Sequence, residues 1–349
     1  MNTDVLIVGG GLAGLALARH LEAAGRDWQL VEARERWGGR ILSETFDGQQ
    51  FDLGPSWFWP GQMRIAALIE QLGLCRFDQA CLGDLLYQDE TGEVHRGQGM
   101  ASMQGSWRLQ GGLGQLVSAM VLQLSARRLH SDSPVEQLIQ RERDIEVRMT
   151  SGEIIRADHV VLAMPPRIAT QLNFTPTLSE QVIKAASEIP TWMAGHAKTV
   201  AIYEKPFWIE QGLSGDAMSR HGPLAEIHDA SPREGGPYAL FGFVGTVAKH
   251  REAADAIKDA IHSQLGQLFG RQGLEPVSLL LKDWAFDPYT ATKLDHTPLQ
   301  HHPRYGRPDA LKNLWNGRLQ LGSTEMGAKY GGYLEGALEV ADELASALA

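Results

Sequence analysis

Cysteine is nearly absent: Cys75 and Cys81 are the only two in 349 residues. That is too few for a disulfide framework, and their spacing is not that of a CxxC redox pair, so both read as reduced core thiols. Basic charge is also short, with 32 lysines and arginines against 42 aspartates and glutamates, a net −10. With no basic run to offset it, this balance argues against a nucleic-acid partner. No stretch approaches the roughly 18 apolar residues of a membrane span. The first residues enter an apolar strand without the regions of a secretory leader. A cytoplasmic protein without a membrane span is expected. No HExxH, HxxxH or carboxylate group has ligand spacing, so no metal site is expected, and no GxSxG elbow marks a hydrolase. What remains is an ordinary globular composition, 43% hydrophobic and 21% charged, at a length that suits two domains.

The chemistry starts at once. Residues 4–8 form a short apolar run, the pattern of a strand buried on both faces. Gly9, Gly11 and Gly14 follow as GxGxxG, then a helical stretch through Leu12, Ala13 and Leu15 to Gly25, then a second strand over 28–32. A right-handed crossover makes the two strands parallel. Alone, the glycine pattern is weak; here it leaves a strand, opens a helix and has Glu32 about 20 residues on. Gly9 permits the tight turn, Gly11 lets a pyrophosphate approach the backbone, and Gly14 allows close helix–strand packing. The helix start at Leu12 and Ala13 offers free N–H groups and a partial positive charge to phosphates. Glu32, followed by Ala33, accepts hydrogen bonds from ribose hydroxyls and disfavours a 2′-phosphate. FAD and NAD both fit to this point. Gly38-Gly39-Arg40 then adds a second backbone segment and a guanidinium across a pyrophosphate, a clamp that FAD needs and NAD does not.

Further along, residues 62–74 have helical spacing. Residues 145–149 and 154–155 read as a hairpin, and 160–163 as a separate buried strand ending at Pro165-Pro166. Residues 197–203 read as a strand with Lys198, Val200 and Ile202 on one face. The polar, glycine-rich stretch 213–237 reads as surface loop and edge hairpin, and 251–269 and 334–348 as amphipathic helices. A lysine in an apolar strand is costly unless it pairs or works; on the residues alone, Lys198 is either a site residue or an edge-strand surface lysine. His196, on the same face, reads as a satisfied structural histidine that could also line a cavity. The last helix begins near Tyr333, and its positive end would stabilise negative charge developing beside it.

These motifs, in this order, resemble the flavin-containing amine oxidase family, which includes the monoamine oxidases, over most of the chain. Phe51-Asp52-Leu53-Gly54-Pro55-Ser56 is similar to the segment beside the flavin ring, with Gly54-Pro55 where Gly-Gly is usual. Arg108 to Leu116 is similar to the turn that returns the chain to the FAD domain, and Val135 falls where the backbone meets the adenine end. Lys198, ahead of Phe207-Trp208, falls on the family lysine that holds a water at flavin N5, and Trp284 on a tryptophan near it. Ser323-Thr324-Glu325 and Gly331-Gly332-Tyr333-Leu334 look like the C-terminal flavin signature.

The resemblance implies an α/β protein, with a Rossmann-type FAD-binding domain from residues 1–77, 108–187 and 287–349. A mixed-sheet α+β substrate domain would come from 78–107 and 188–286. It also implies a small-molecule amine as substrate, dioxygen as electron acceptor, and catalytic roles for Lys198 and Tyr333. Three departures qualify it. No cysteine follows Trp284, so the FAD is expected to be noncovalent. Of the two tyrosines that usually form an amine-binding cage, Tyr333 supplies one; the other position, near Lys293-Leu294, is not aromatic. Trp57, Trp107 and Tyr289 are the candidate substrate contacts, with Phe58 and Trp59 as further aromatics. The stretch 76–110 is too short for the usual helical roof. The short roof leaves two other readings open: a renalase-like or desaturase-type flavin enzyme for a non-amine substrate, and a flavin-binding partner or maturation protein.

Overall fold

The computed structural model describes residues 1–99, 101–297, 299 and 301–348. Its first sheet has eight strands. Asn2–Val8 lies between Trp28–Val31 and Ile154–Leu162 and runs parallel to both. Val5, Leu6, Ile7 and Val8 are all buried, as a strand covered by helices on both faces must be. Leu129–His130 and Leu319–Leu321 extend the parallel part. The strands Val135–Gln140, Ile145–Met149 and Asn173–Thr175 complete the sheet on the other side. The helix Leu12–Ala23 joins the first two strands, ends before Gly25 (φ +66°) and packs on the last helix, Leu334–Leu348. This is the Rossmann-type α/β arrangement.

The second sheet has seven strands, taken from residues 84–97 and 197–283. Ala197–Tyr203 is interior to it, flanked by Tyr238–Val244 and Ser278–Asp283. A small apolar core packs Val200, Ile202, Ala239 and Phe241 of the second sheet against Phe51 and Leu53, from the strand pair Ser43–Phe46/Gln49–Asp52 and the residue that follows it. The helix Ala254–Phe269 covers the far side through Ile257, Ile261 and Leu265. Among the described residues no helix is long and apolar enough to cross a membrane.

Three local expectations are corrected. Residues 154–163 are not a hairpin arm and a separate strand: Ile154–Leu162 is one strand, antiparallel to Ile145–Met149 at its start and parallel to Asn2–Val8 along most of its length. No glycine or proline interrupts it, and the polar Arg156 only faces outward, where it pairs with Glu146 at 3.1 Å. The stretch 213–237 is loop at residues 230–237, but the rest is neither surface loop nor edge hairpin. Leu213–Ser219 and Leu224–Asp229 are interior strands of the second sheet, joined through their polar side chains by the 2.5 Å bond between His228 Nδ1 and Asp216 Oδ1. The cysteines are not core thiols. Cys75 is exposed and Cys81 half-buried, because they flank Arg76–Asp78, one strand of a small pair with Trp107–Leu109.

The shortened 76–110 stretch holds that pair and the hairpin Asp84–Gln88/Val94–Gly97, with no helix among its described residues. At the hairpin's tip Asp89, Glu93 and His95 gather. Asp89 Oδ1 accepts from the Thr91 and Glu93 N–H groups, so the carboxylate closes the turn.

Candidate active site

A cavity of about 890 Å³ runs between the two sheets, at the upper end of the roughly 300–1,000 Å³ of small-molecule sites. One end is built by the glycine turn. Gly9, Gly11, Leu12 and Ala13 line it, with Glu32, Ala33, Gly39, Arg40 and Val135 around them. Gly11 is the N-cap of the Leu12–Ala23 helix, and no side chain caps that helix, so its first N–H groups remain available to an anion. Gly38 N donates to Gly10 O at 2.8 Å, which crosses the second glycine pair over the first. A Cβ on Gly39 would come within 3.2 Å of Gly11 Cα. Gly14 does not line the cavity. A Cβ there would lie 2.0 Å from Gly9 O, so its role is helix–turn contact. Glu32 accepts from Gly10 N at 2.7 Å and Arg34 N at 3.0 Å.

Arg40 is held by a two-pronged ion pair with Glu325, at 2.7 and 3.2 Å. Glu325 is fully buried and does not reach the cavity; the expected cofactor contact is instead the group that aims Arg40. Arg36 donates to Gly39 O and Ile41 O and shapes the same crossing, a role the sequence did not reveal. Ser323 lines the cavity, and its Oγ is buried without a protein partner. An orphaned hydroxyl, an uncapped helix start and two side-chain-free backbone crossings fit a dinucleotide with a pyrophosphate, and so fit FAD.

The other end is built on the Ala197–Tyr203 strand. Lys198 is 3% exposed and interior to the sheet, which excludes the edge-strand alternative. Its Nζ donates to Gly54 O at 3.0 Å and Ser56 Oγ at 2.6 Å and lies 4.0 Å from the Phe241 ring centre. Burial pulls its ammonium down to about 7; Asp52 opposes that and Arg108 adds to it. Pro55 lines the cavity between these two partners. Trp284 also lines it, fixed by a 2.9 Å bond from its Nε1 to Leu53 O.

Gly332, Tyr333 and Leu334 bring the start of the last helix to the cavity. His302 stacks on Tyr333 (4.7 Å, 12°), Trp59 meets it edge-on (6.1 Å, 80°), and Trp192 meets His302 at 4.9 Å. Tyr333, Trp59 and Trp192 line the cavity. Of these companions only Trp59 was among the sequence candidates. His302 and Trp192 gave no signal, because they reach Tyr333 only through the folded chain. His196 lines the cavity, and its Nδ1 is buried without a partner, so it is not the satisfied histidine expected. Burial, helped by Arg251, lowers its pKa.

Trp57 lines the cavity, with its Nε1 bonded to Gln79 at 2.8 Å. Trp107 does not: it packs on Phe58, and Arg76 lies 3.8 Å over its ring, because the strand pairing of Arg76–Asp78 turns it away. Tyr289 lines the cavity under Arg34, 5.1 Å away, and Arg34 sits beside Glu32; it therefore belongs to the dinucleotide end. Leu294 is exposed and outside the cavity. Neither cysteine lines the cavity, so no thiol is available to tether a flavin.

Comparison with known proteins agrees with this geometry. The model of the family described as flavin containing amine oxidoreductase matches residues 12–101 and 80–349. A probable flavin-containing monoamine oxidase A of Dictyostelium discoideum is 21% identical, with 96% of this chain and 95% of that one covered. The putrescine oxidase of Kocuria rosea is 23% identical, with 83% and 84% covered. Among solved structures, the cyclohexylamine oxidase of Brevibacterium oxydans IH-35A superposes with a TM-score of 0.84 at 19% identity, covering 100% of this chain and 99% of the other. That likeness shows the shared fold.

Proposed function

Because the chain belongs to the flavin containing amine oxidoreductase family, we propose that this FAD-dependent oxidoreductase is an oxidase of small amines, with dioxygen as electron acceptor. The observation that carries the reading is the convergence of Lys198, Tyr333 and the dinucleotide cradle on one cavity. The chemistry FAD supplies when bound is acceptance of a hydride from the carbon beside the amine nitrogen, leaving an imine that water hydrolyses, and return of the electrons to dioxygen as hydrogen peroxide.

The residues of this chain supply position and charge. The Tyr333 and Trp59 rings present π surfaces to the amine, which orient it with its lone pair free. Lys198, close to losing its proton near neutral pH, holds a water through Nζ and donates or accepts a proton there without the cost of a fixed buried charge. Ser56 and the Gly54 carbonyl fix where that nitrogen points. The open N-terminus of the last helix favours negative charge at the cavity wall. Arg40, the Gly11 turn and Ser323 hold the cofactor. Residues 78–107 and 188–286 serve as the substrate domain in this reading, and the remainder as the FAD domain.

The test is anaerobic reduction of the bound flavin, followed by loss of its visible absorbance, with a panel of amines and of reduced nicotinamides. Bleaching by amines is the expected result. Bleaching by nicotinamides alone would assign the renalase-like reading, and no bleaching by either would favour a flavin-binding partner.

A further inference from the structure

The sheet wall of the cavity carries a charged device that the reaction above does not use. Lys198 pairs in register with Phe243, and Phe243 with Glu226. Paired residues on adjacent strands share a face, so Glu226 stands on the same wall as Lys198. Two strand spacings separate their backbones, about 9.5 Å. Glu226 lines the cavity with its side chain 27% exposed. Its Oε1 accepts from His228 Nε2 and Ser102 Oγ, both at 2.8 Å. Its Oε2 accepts no protein hydrogen bond among the described residues.

Behind Glu226, His228 is buried, with Nδ1 2.5 Å from Asp216 Oδ1. An ionised carboxylate only accepts, so an imidazole between two of them must donate from both nitrogens and carry a positive charge. Asp216, His228 and Glu226 together therefore hold one net negative charge, and of the three only Glu226 lines the cavity. Trp57, edge-on to His228 at 5.0 Å, and Phe241 at 5.3 Å wall the imidazole in.

The other charged groups lining the cavity are committed elsewhere. Glu32 serves the glycine turn, Arg34 pairs with Asp287 and Arg40 with Glu325. Glu226 is thus the carboxylate that a substrate near Lys198 meets. A monoamine that reacts as the neutral base gains nothing from it, and an amino acid's carboxylate is repelled. A second cationic nitrogen, held away from the reacting one, is attracted into a partly desolvated site where the attraction is stronger than in water.

We propose that Glu226, with His228 and Asp216 as positioning residues, is a second binding point that selects diamines. It takes the charged far nitrogen while the near nitrogen, uncharged, sits beside Lys198. This rests on the amine reading of the site, so its test is a binding measurement that requires no turnover. Alkyltrimethylammonium ions, whose single fixed charge stands for the far nitrogen, and their uncharged tert-butyl isosteres of equal chain length are titrated into the holoenzyme, and the shift in flavin absorbance gives Kd.

The cation is expected to bind about ten- to a hundredfold more tightly than its uncharged isostere. Glu226→Gln should pull that ratio towards one, and His228→Gln should lower it part of the way. Equal Kd values for the cation and its uncharged isostere in the unmodified enzyme overturn the proposal, whatever the variants do, as does a ratio that survives Glu226→Gln. The same pair of chain lengths as substrates, diamine against monoamine, separates the two readings. Flavin bleached equally well by both at low concentration removes diamine selection and leaves amine oxidation standing. Tighter binding of the cation than of its isostere, with no bleaching by any amine, keeps the anionic subsite and removes the amine oxidase reading.

Discussion

A single side chain, Lys198, links the stability of the protein to its chemistry. Its burial lowers the ammonium from 10.5 to about 7. Between those values the unfolded chain binds a proton that the folded one does not, so this group makes stability rise with pH across that window. Below about 7 the proton must be carried into the fold, and the cost is fully present. Lys198→Met removes the titration. Melting curves of the holoprotein from pH 6 to pH 10 should therefore rise less steeply for the variant, by up to a few kcal/mol across the window. Parallel curves would mean that the lysine keeps its ordinary basicity. The same substitution should slow reoxidation of reduced flavin by dioxygen at least tenfold, measured by stopped-flow mixing. Lys198 could be singled out in the sequence because a lone charge inside an apolar strand breaks a local pattern. Glu226, His302 and Trp192 break none. Each is ordinary where it stands, and only strand register or loop packing brings Glu226 and Trp192 to the cavity and His302 onto Tyr333.

The opening of the Leu12–Ala23 helix separates two glycines that look alike in sequence. A Cβ on Gly11 meets nothing nearer than 3.9 Å, whereas one on Gly14 would lie 2.0 Å from Gly9 O. Gly11→Ala is therefore expected to fold with a melting temperature close to that of the flavin-free parent, yet to bind FAD weakly, because the methyl stands where the pyrophosphate approaches. Gly14→Ala forces the helix off the turn and should cost the apoprotein itself about 2–4 kcal/mol. Thermal melts of flavin-free protein, with FAD titrations beside them, distinguish the two; equal apoprotein losses would contradict the assignment. The last helix shows the same division of labour. Glu335, in its first turn, accepts from the N–H groups of Arg64 and Ile65 and so caps the helix Met63–Gln71. Glu335→Ala should cost about 1–2 kcal/mol in a denaturant titration while the flavin is retained. The parallel strands and both long helices were legible, since hydrophobic period and glycine punctuation are local signals. The interior strands at 213–229 were not, because their polar residues are satisfied across the sheet rather than by neighbours in sequence.

At the scale of the molecule, the charge that argued against nucleic acid bears on how substrate arrives. A net −10 gives the surface a potential that attracts cations, and an amine in neutral solution is mostly an ammonium ion. Among its described residues the short 76–110 stretch contributes only Met103 to the cavity lining, so little of the roof shields the entrance from that field. The Debye length falls from about 30 Å at 0.01 M salt to about 8 Å at 0.15 M, and steering weakens with it. Across that range kcat/KM for a charged amine should fall several-fold while kcat holds, since the chemistry takes place in a cavity that salt screens poorly. A diamine should lose more than a monoamine, because two charges feel the same potential. Stopped-flow flavin reduction at low substrate, repeated along the salt series, measures the encounter directly. A rate that does not change with salt would show that the field does not reach the cavity mouth, and a fall in kcat of equal size would place the salt effect within the site.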